Sequence, residues 1–401
     1  MTAASYCCGY CAGVPIPSPS ERVSLGVIAR EWGRIGITGF GGPPAHIALL
    51  RGLCVQRNQW LSESEFEDGI AATSLLPGPA STQLAIFCAW RVSGALGAII
   101  GGTCFIVPGL IIILGLSVLF LAHSPPDWVR GAAAGAGAAV PAVAVSAAIA
   151  LVPASWRRAG SVTTARARWA FYLLAGAVAA NLAGEFLVAV LLACGLLEWL
   201  ARRRFAPDGT GGLLIPLAAK TAVTAGVIGS LAWVALKVGA LSFGGGFVII
   251  PLMQHDAVHT YHWMTSAQFL SAVALGQVTP GPVVQTVAVV GYAAAGLAGG
   301  LIAAAIAFAP SFVFVLAGGP HFDRFRRSTA AQSFLSGAGP AAIGAIAGAA
   351  ITLGLGLTQF WQVAVLAGAA CWLLLLRRGV VSAILAAAGI GVIVALAGGL
   401  S

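Results

Sequence analysis

Long apolar runs separated by short polar breaks make up most of this 401-residue chain. Runs of 18 or more apolar residues recur from about residue 93 onward, and each is long enough to cross a hydrocarbon layer of about 30 Å at about 1.5 Å per residue. None shows the alternation over about ten residues that a membrane β-barrel requires. The pattern predicts an all-α polytopic membrane protein, with helices at about 93–121, 128–152, 169–183, 185–200, 214–240, 296–317, 334–357, 360–376 and 379–398.

Composition supports a membrane location. Hydrophobic residues make up 59% of the chain, charged residues make up 8%, and the mean hydropathy is +0.94, whereas a soluble domain carries about a quarter charged residues. The 53 glycines suit close packing between membrane helices. The formal charge of +9 lies in short arginine clusters between apolar runs, which indicates membrane topology rather than nucleic-acid binding. We therefore expect the lipid bilayer as a partner and no nucleic acid.

The eight cysteines do not predict a disulfide framework, because most lie within or beside apolar runs, where a cysteine acts as a small hydrophobic residue. Cys7, Cys8 and Cys11 are close enough in sequence to bind a soft metal, but no further His or Cys follows at zinc-site spacing. We favour a flexible tail over residues 1–22. This tail lacks the basic and apolar regions of a signal peptide, so we expect the first membrane segment to be retained.

The chain matches itself without a gap at an offset of 203 residues. Phe40-Gly41-Gly42 aligns with Phe243-Gly244-Gly245, and Pro77-Gly78-Pro79 aligns with Pro280-Gly281-Pro282. Chance similarity between two segments rich in Ala and Gly would not align these motifs, a tryptophan and a further phenylalanine in one register. We therefore predict two homologous repeats, divided into a tail (1–22), a first repeat (23–201), a charged and glycine-rich linker (202–213) and a second repeat (214–401).

Arginine placement predicts the relative orientation of the repeats, because cytoplasmic loops collect Lys and Arg. The loop near 156–168 carries four arginines, whereas its counterpart near 358–361 carries none. In two other pairs the second repeat carries the arginines, at 324–327 and 377–378, and the first repeat carries one or none. Placing every arginine-rich loop in the cytoplasm requires the repeats to be upside down relative to each other. The chain is therefore predicted to be an inverted repeat.

Glycine and proline interrupt apolar runs at matching places in both repeats, as in secondary transporters whose substrate site lies between inverted repeats. Proline removes a backbone donor and glycine tolerates positive φ, so neither motif continues a regular helix. We expect new helices to begin near Pro79 and Pro282. Their unpaired N–H groups and positive dipole ends favour a tetrahedral dianion, which the neighbouring glycines allow to approach the backbone. The alternative is that the breaks are packing kinks.

Polar side chains beside the breaks are the candidate ligands of such an anion. Arg34 and Lys237 precede the two glycine breaks by equal distances, so that together they would neutralise an oxyanion from both repeats. The alternative is that both side chains reach toward a membrane interface. The polar residues after the Pro-Gly-Pro breaks are candidate hydrogen-bond donors, with bonding between helices as the rival explanation: Thr82, Gln83, Gln285 and Thr286.

Asp256, beside His255, is the candidate group for coupling transport to protons. Desolvation raises a buried carboxyl group into a useful titration range, and the alternative is an ordinary loop acid. His255, His259 and His262 would share one helical face, but Trp263 indicates the end of a segment, so we expect no metal site. No flavin or nicotinamide fingerprint follows a predicted strand, and we expect no cofactor.

The doubled motifs resemble those of the chromate transporter family, the two-domain bacterial proteins often called ChrA. The resemblance extends from about Ala29 over nearly the whole chain. It implies efflux of chromate across the bacterial inner membrane, driven by the membrane potential or the proton gradient, with sulfate as the natural structural mimic. The motifs that carry the resemblance are Phe40-Gly41-Gly42-Pro43, Leu75-Leu76-Pro77-Gly78-Pro79, Gln83-Leu84-Ala85, Phe243-Gly244-Gly245-Gly246-Phe247 and Gly276-Gln277-Val278-Thr279-Pro280-Gly281-Pro282-Val283-Val284.

The breaks and the resemblance together define a candidate site. For coupling, the candidates are His255 and Asp256. For substrate binding, the candidates are Arg34, Phe40, Gly41, Gly42, Pro43, His46, Pro77, Gly78, Pro79, Thr82, Gln83, Lys237, Phe243, Gly244, Gly245, Gly246, Gln277, Pro280, Gly281, Pro282 and Gln285.

Three positions of the first repeat depart from the family pattern. Ala80 stands where family members often carry Glu, Leu53 stands where they carry an acid, and His46 stands where Gln is usual. The second repeat keeps an acid, Asp256, at the position that matches Leu53. Either the coupling chemistry rests on one repeat, or the transported ion differs from chromate.

Other functions stay open on the sequence. Sulfate or another oxyanion is one alternative substrate, and a passive anion channel or a membrane-embedded enzyme is an alternative class. We expect no enzyme, because an enzyme would need a nucleophile with its base, or metal ligands at helical spacing, and no such set stands out. The segments 44–92 and 247–295 are too broken to separate re-entrant hairpins from tilted crossings, and we expect hairpins. A homodimer, the coupling ion and the transport direction are left open.

Overall fold

The computed structural model describes residues 22–74, 76–122, 124–182, 186–203, 226–242, 249–318 and 328–399, and these residues form helices without any strand. The predicted all-α fold is confirmed. The first half contains α1 (Leu25–Thr38), α2 (Pro43–Arg51), α3 (Glu63–Thr73), α4 (Ala80–Phe120), α5 (Asp127–Ala159), α6 (Thr163–Leu182) and α7 (Leu187–Arg203). The second half contains α8 (Val227–Leu241), α9 (Ile249–Gln254), α10 (Ser266–Val278), α11 (Thr286–Gly318), α12 (Thr329–Leu355), α13 (Phe360–Ala370) and α14 (Val380–Leu396).

Four helical stretches of the described residues are long and apolar enough to cross a membrane: Ala80–Phe120, Asp127–Ala159, Val283–Gly318 and Thr329–Leu355. Val227–Leu241, Phe360–Leu375 and Val380–Leu396 are shorter apolar helices. These stretches agree closely with the predicted ones. Of the helix predicted at 214–240, only the part from residue 226 lies within the described residues.

The longest helix, α4, reverses direction at Ser93 and Gly94, where Gly94 has a φ of 68°. A Cβ placed on Gly101 would lie 2.5 Å from the Cβ of Ala89, whereas positions twelve residues apart in a straight helix are about 18 Å apart. Thus α4 consists of two antiparallel arms, 80–92 and 95–120. The second arm alone is about 39 Å long, enough to cross a membrane.

Helix α11 repeats this reversal at Ala295 and Gly296. A Cβ placed on Gly300 would lie 2.9 Å from the carbonyl oxygen of Ala288, so the arms 286–294 and 297–318 also run antiparallel. The two reversals are 202 residues apart, one residue less than the offset of the motifs. A short 3₁₀ turn, Val283–Gln285, precedes α11 but has no counterpart before α4.

Each half begins with two helical hairpins. In the first half, α1 and α2 form one hairpin whose glycine tip spans residues 39–42, and Glu31 of α1 accepts a hydrogen bond from Arg57 near its open end. Helix α3 and the first arm of α4 form the other hairpin, whose proline tip spans residues 77–79. A Cβ placed on Gly69 would lie 2.5 Å from the ring of Phe87, which shows how closely these two helices pack.

Ionic groups mark the open ends of these hairpins. Arg91 donates a hydrogen bond to Glu65 across the second hairpin. Burial raises the pKa of Glu65, but the amide and hydroxyl of Ser62 and the guanidinium of Arg91 lower that pKa by more. The Ser93 hydroxyl donates a hydrogen bond of 2.8 Å to the carbonyl of Val23. The open ends of both hairpins therefore lie together at one end of the molecule, and both tips point inward.

The duplication extends to local irregularities of the backbone. The π-helical segments Gly52–Arg57 and His255–Thr260 follow α2 and α9 and are separated by the same 203 residues as the motifs. Gln59 and His262 share a positive φ of 51° and 52°. Residues of the two halves therefore have the same local conformation even where their side chains differ.

Equivalent helices of the two halves run antiparallel to each other. Between the second arms of α4 and α11, a Cβ on Gly102 would contact Phe312, and a Cβ on Gly300 would contact Leu114. Residues near the start of one arm thus lie beside residues near the end of the other. Helices α5 and α12 cross in the same sense, with Gly354 near Pro141. The reversals at Gly94 and Gly296 therefore lie at opposite ends of this packed pair of arms.

The two halves also interlock through their last helices. Helix α5 packs against α13 and α14 of the second half, and α12 packs against α6 and α7 of the first half. These crossings depend on small residues. A Cβ on Gly391 would lie 2.0 Å from the carbonyl oxygen of Gly131, and a Cβ on Gly344 would lie 1.8 Å from that of Leu173. Small residues allow membrane helices to pack at such close range.

Two glycines of α14 provide a matched test of this packing. We expect Gly391→Ala to lower the apparent melting temperature of the detergent-solubilised protein by about 3 °C or more, because an overpacked interface costs about 1–3 kcal/mol. No atom lies within 4 Å of a Cβ placed on Gly389, so Gly389→Ala should leave the temperature unchanged or raise it slightly. Equal melting temperatures for both variants would contradict the close crossing.

Candidate functional site

The tips of the hairpins meet across the two halves. The amide of Gly281, in the proline tip of the second half, donates a hydrogen bond of 3.1 Å to the carbonyl of Gly39. In the other Pro-Gly-Pro tip, a Cβ on Gly78 would lie 3.4 Å from the carbonyl oxygen of Gly239, near the end of α8. We call the contact of Gly39 with Gly281 the first junction, and the contact of Gly78 with the end of α8 the second junction. Each junction brings a Pro-Gly-Pro tip of one half against the end of the helix that precedes the glycine motif of the other.

His46 lies at the first junction and is fully buried. Its Nε2 is 2.9 Å from the carbonyl oxygen of Gly39, and its Nδ1 is 3.3 Å from the Ser81 hydroxyl. Its ring packs edge-on against Phe105 at 5.0 Å. If Nε2 carries the proton, the imidazole donates to the carbonyl of Gly39, which also accepts from Gly281. His46 therefore joins the first hairpin to the start of α4.

Two glutamines beside the proline tips make different contacts. Gln83 donates from Nε2 to the carbonyl of Pro77 at 2.6 Å, within its own hairpin. Gln285 donates from Nε2 to the carbonyl of Ile106 at 2.8 Å, which belongs to the opposite half. Both side chains are fully buried, and the Oε1 atom of each has no hydrogen-bond partner among the described residues. In each amide, Nε2 therefore bonds within the protein, whereas the unbonded Oε1 is an acceptor and cannot donate to an oxyanion.

Six buried polar side-chain atoms of the described residues have no hydrogen-bond partner. They are Thr82 Oγ1, Gln83 Oε1, Ser242 Oγ, Gln277 Nε2, Gln285 Oε1 and Ser311 Oγ. Five of them lie within four residues of a glycine or Pro-Gly-Pro motif in sequence, and Ser311 follows Pro310 within α11. An unpaired buried polar group costs about 1–3 kcal/mol. Their concentration beside the tips indicates a site built for a polar ligand.

Helices begin at the proline tips, as the sequence predicted. Pro79 is the N-terminal cap of α4, and Pro282 caps the 3₁₀ turn that leads into α11. The amides of Thr82 and Gln83 both bond back to the carbonyl of Pro79. The positive end of a helix dipole therefore lies at each proline tip.

The glycine tip of the first half has the backbone that its sequence requires. Gly41 and Gly42 have φ values of 101° and 72°, which side chains rarely tolerate. Pro43 occupies the first turn of α2, and the ring of Phe40 is 47% exposed. The predicted site residues Phe243, Gly244, Gly245 and Gly246 lie outside the described residues.

The two basic residues that precede the glycine tips have different surroundings. Lys237 Nζ lies 2.6 Å from Asp256 Oδ2, and the two side chains are 16% and 9% exposed. The ammonium group also lies 5.6 Å from the centre of the Trp233 ring. The partner of Asp256 is therefore Lys237 rather than its neighbour His255, whose Nδ1 is 3.3 Å from the Thr260 hydroxyl.

Arg34, the equivalent of Lys237, is exposed, and within the described residues it forms no ion pair. The position that matches Asp256 is Leu53, which is buried. The first half therefore lacks, at this position, the acid that would neutralise the arginine. Arg34 and Lys237 occupy equivalent positions in their hairpins, about one turn before the glycine motif. A guanidinium group at that depth needs water, an anion or both around it.

His255, His259 and His262 do not converge on one point. The rings of His255 and His259 are 6.1 Å apart, and His262 turns away with a positive φ and bonds to the carbonyl of Val258. Among the described residues, no group of three or more His, Cys, Asp or Glu side chains is placed to hold a metal ion.

Two residues of this region, Ser242 and Ser311, were not predicted from the sequence. Both are fully buried; Ser242 stands directly before the glycine motif, and Ser311 directly follows Pro310 within α11. A search for single hydroxyls next to glycine motifs and helical prolines would have found them. The ion pair of Glu31 with Arg57 was not predicted either, since neither matches an ionic group in the second half.

Taken together, the tips bring backbone amides, helix N-termini and unpartnered hydroxyl and amide groups into the centre of the molecule. Beside them lie one paired cation, Lys237, and one, Arg34, that has no acidic partner in the described part of the chain. Such a set can bind an anion by hydrogen bonds without a full countercharge at the site.

Comparisons with known proteins agree with this chemistry. The chromate transporter family profile matches residues 27–199 and 229–393. A chromate transport protein of Cupriavidus metallidurans is 33% identical over 328 residues, which cover 80% of each chain. A probable chromate transport protein of Synechococcus elongatus is 31% identical over 341 residues, which cover 82% of this chain and 85% of the relative. A chromate transport protein of Pseudomonas aeruginosa is 30% identical over 336 residues, which cover 80% of this chain and 79% of the relative.

No solved structure shows significant similarity to the chain. The family profile matches each half once, and the matched segments include α1 to α7 and α8 to α14 almost completely. With its apolar helices and its doubled profile match, this chain is a membrane protein that belongs to the chromate transporter family.

Proposed function

We propose that this protein is a secondary active transporter that exports chromate across the bacterial inner membrane and thereby gives chromate resistance. The observation that carries the proposal is the meeting of glycine and proline breaks from both halves, surrounded by buried polar atoms that lack partners among the described residues. Sulfate or another tetrahedral oxyanion is the alternative substrate, since it has the same shape and charge.

The proposed topology is that of inverted repeats, with repeats at 23–201 and 214–401 and a linker at 202–213. Two observations support it. Equivalent helices pack antiparallel to each other, so two membrane-crossing helices of this kind would cross in opposite directions. The arginine-rich loops fall on one side of the membrane only when the repeats are inverted.

The hairpins explain how one site would open to two sides. Those of the first half enter from one end of the molecule and those of the second half from the other, and their tips meet between. Small movements of one pair of hairpins would then expose the tips to one side while the other pair keeps them covered. A passive channel needs no such arrangement, because it opens to both sides at once.

The substrate charge would be met by Arg34 and, in part, by Lys237. Arg34 lacks an acidic partner among the described residues, so it is free to pair with an oxyanion. Lys237 is held by Asp256 at 2.6 Å. Protonation of Asp256 would release the lysine to the anion, and proton binding would thereby favour anion binding. In this proposal Asp256 is the coupling residue and His255 its neighbour at the start of the π-helical segment.

Cells that express the protein should accumulate less radiolabelled chromate than cells that carry an empty vector. Excess sulfate should weaken the difference, because sulfate would compete for a site that recognises tetrahedral dianions. Parallel assays with sulfate, molybdate and phosphate would rank the substrates. Unchanged chromate accumulation despite confirmed membrane expression would contradict the chromate assignment.

Replacing Arg34→Gln should raise the KM for chromate about tenfold or more, because hydrogen bonds to charged groups contribute about 1.5–3 kcal/mol. The matched control is Arg30→Gln, one turn earlier on α1, whose side chain is 74% exposed and pairs with Glu31. Initial rates of chromate uptake into everted vesicles would give both KM values. Equal values for the two variants would show that Arg34 does not bind substrate.

The coupling role of Asp256 can be tested in the same vesicles. With a pH gradient, acid outside, wild-type vesicles should take up chromate faster than without it, because proton binding at Asp256 favours anion binding on the side from which chromate enters. Asp256→Asn should remove this acceleration while chromate exchange without a gradient continues, since the amide cannot take up a proton. Asp127→Asn, at an exposed ion pair with Arg130, is the control. An undiminished response of Asp256→Asn to the gradient would exclude this residue as the coupling group.

A further inference from the structure

The two junctions at the hairpin tips are not equally closed. At the first junction, two hydrogen bonds join the halves, from Gly281 to Gly39 and from Gln285 to Ile106. The equivalents of Gly281 and Gly39 are Gly78 and Ser242, and the described backbone contains no hydrogen bond between these two residues. The second junction therefore lacks the backbone bond that closes the first.

A difference of one side chain also distinguishes the two junctions. A Cβ placed on Gly109 would lie 2.1 Å from the carbonyl oxygen of Pro280 and 2.6 Å from Gln285 Oε1. The first junction thus has no room for a side chain at this position. Since the reversals of α4 and α11 are 202 residues apart, the equivalent of Gly109 is Ser311, which carries a complete side chain there and is fully buried.

The packing of α8 on α11 indicates that Ser242 lies level with Ser311. A Cβ on Gly239 would lie 2.1 Å from the carbonyl oxygen of Ala307. The equivalent helices, α1 and the second arm of α4, run parallel, because Gly101 meets Trp32 and Phe105 meets Gly36. If α8 follows its arm in the same way, Ser242, three residues after Gly239, lies level with Ser311, four residues after Ala307.

Thr82 completes the set from the opposite side of the second junction. It lies in the first turn of α4, directly after the proline tip, and is the sequence equivalent of Gln285, which reaches toward Gly109 at the first junction. The hydroxyls of Thr82, Ser242 and Ser311 are fully buried and have no hydrogen-bond partner among the described residues. By this equivalence, three buried hydroxyl donors and the N-terminus of a long helix lie around the second junction.

We propose that Thr82, Ser242 and Ser311 form an oxyanion subsite at the second junction, with each hydroxyl donating to one oxygen of the anion. The subsite deepens the proposed function, on which it rests. Hydroxyl groups supply directed donors without adding charge, and the helix N-terminus adds a partial positive charge. This combination suits a dianion that must be released again on the other side of the membrane.

The test is chromate and sulfate transport by purified protein in proteoliposomes. We expect Ser311→Gly and Ser242→Ala each to raise the KM about tenfold with little change in kcat, because each removes one hydrogen bond to a charged ligand. The double variant should raise the KM further. Ser311→Thr keeps a hydroxyl at this position and should stay closer to wild type than Ser311→Gly.

The matched control is Ser117→Ala, which removes a buried hydroxyl that already bonds to the carbonyl of Ile113. If the wild type transports chromate or sulfate and the variants at 242 and 311 have the KM of this control, the subsite is wrong and the transport function stands. If the wild type transports no oxyanion of the panel, the proposed function itself fails. If the variants at 242 and 311 fail to fold, they will aggregate in detergent, whereas Ser117→Ala will not. The KM of Ser311→Thr then decides, because this variant keeps the hydroxyl.

Discussion

A backbone N–H or C=O group that leaves its helix inside a membrane must find a partner in the protein, because hydrocarbon offers none. This chain interrupts its helices at glycine and proline tips, and it places these tips where the opposite half covers them. The bond from Gly281 to Gly39 is one direct consequence, since each residue supplies what the other lacks. Other polar groups beside the tips have no such partner among the described residues. A region that protein encloses, but in which the protein does not supply every hydrogen-bond partner, is suited to bind a small polar ligand.

The interlocking of the halves keeps the tips together. Helices α5 and α12 each pack against the last two helices of the opposite half, and glycines such as Gly131 and Gly391 bring the backbones into direct contact. A rigid rotation of one half against the other would separate several of these crossings at once. A movement of the hairpins would leave them intact. The packing therefore favours hairpin motion around a fixed frame formed by α5 to α7 and α12 to α14.

The sequence predicted the long helices within a few residues, because each is bounded by polar or glycine-rich loops that hydropathy detects. It also located the breaks, since Gly41-Gly42 and Pro77-Gly78-Pro79 cannot continue a helix. It did not predict that Lys237 pairs with Asp256, because the two residues are 19 positions apart and meet only when α8 and α9 fold into a hairpin. Nor did it identify Ser242 and Ser311, whose importance depends on the lack of a partner among the described residues, and that lack is a property of the packed structure alone.

The two halves have diverged at the positions that border the tips, and the changes are complementary. The second half has Lys237 neutralised by Asp256, whereas the first half has Arg34 and, in place of the acid, the apolar Leu53. Gly109 in the first half allows the first junction to close, whereas Ser311 in the second half supplies a hydroxyl. A strictly symmetric duplication would offer an anion two identical half-sites with either two free cations or none. Divergence instead leaves, in the described part of the chain, one cation without an acid beside it and one set of hydroxyls. In the proposed function, this asymmetry would attract a dianion strongly enough for it to enter and hold it weakly enough for it to leave.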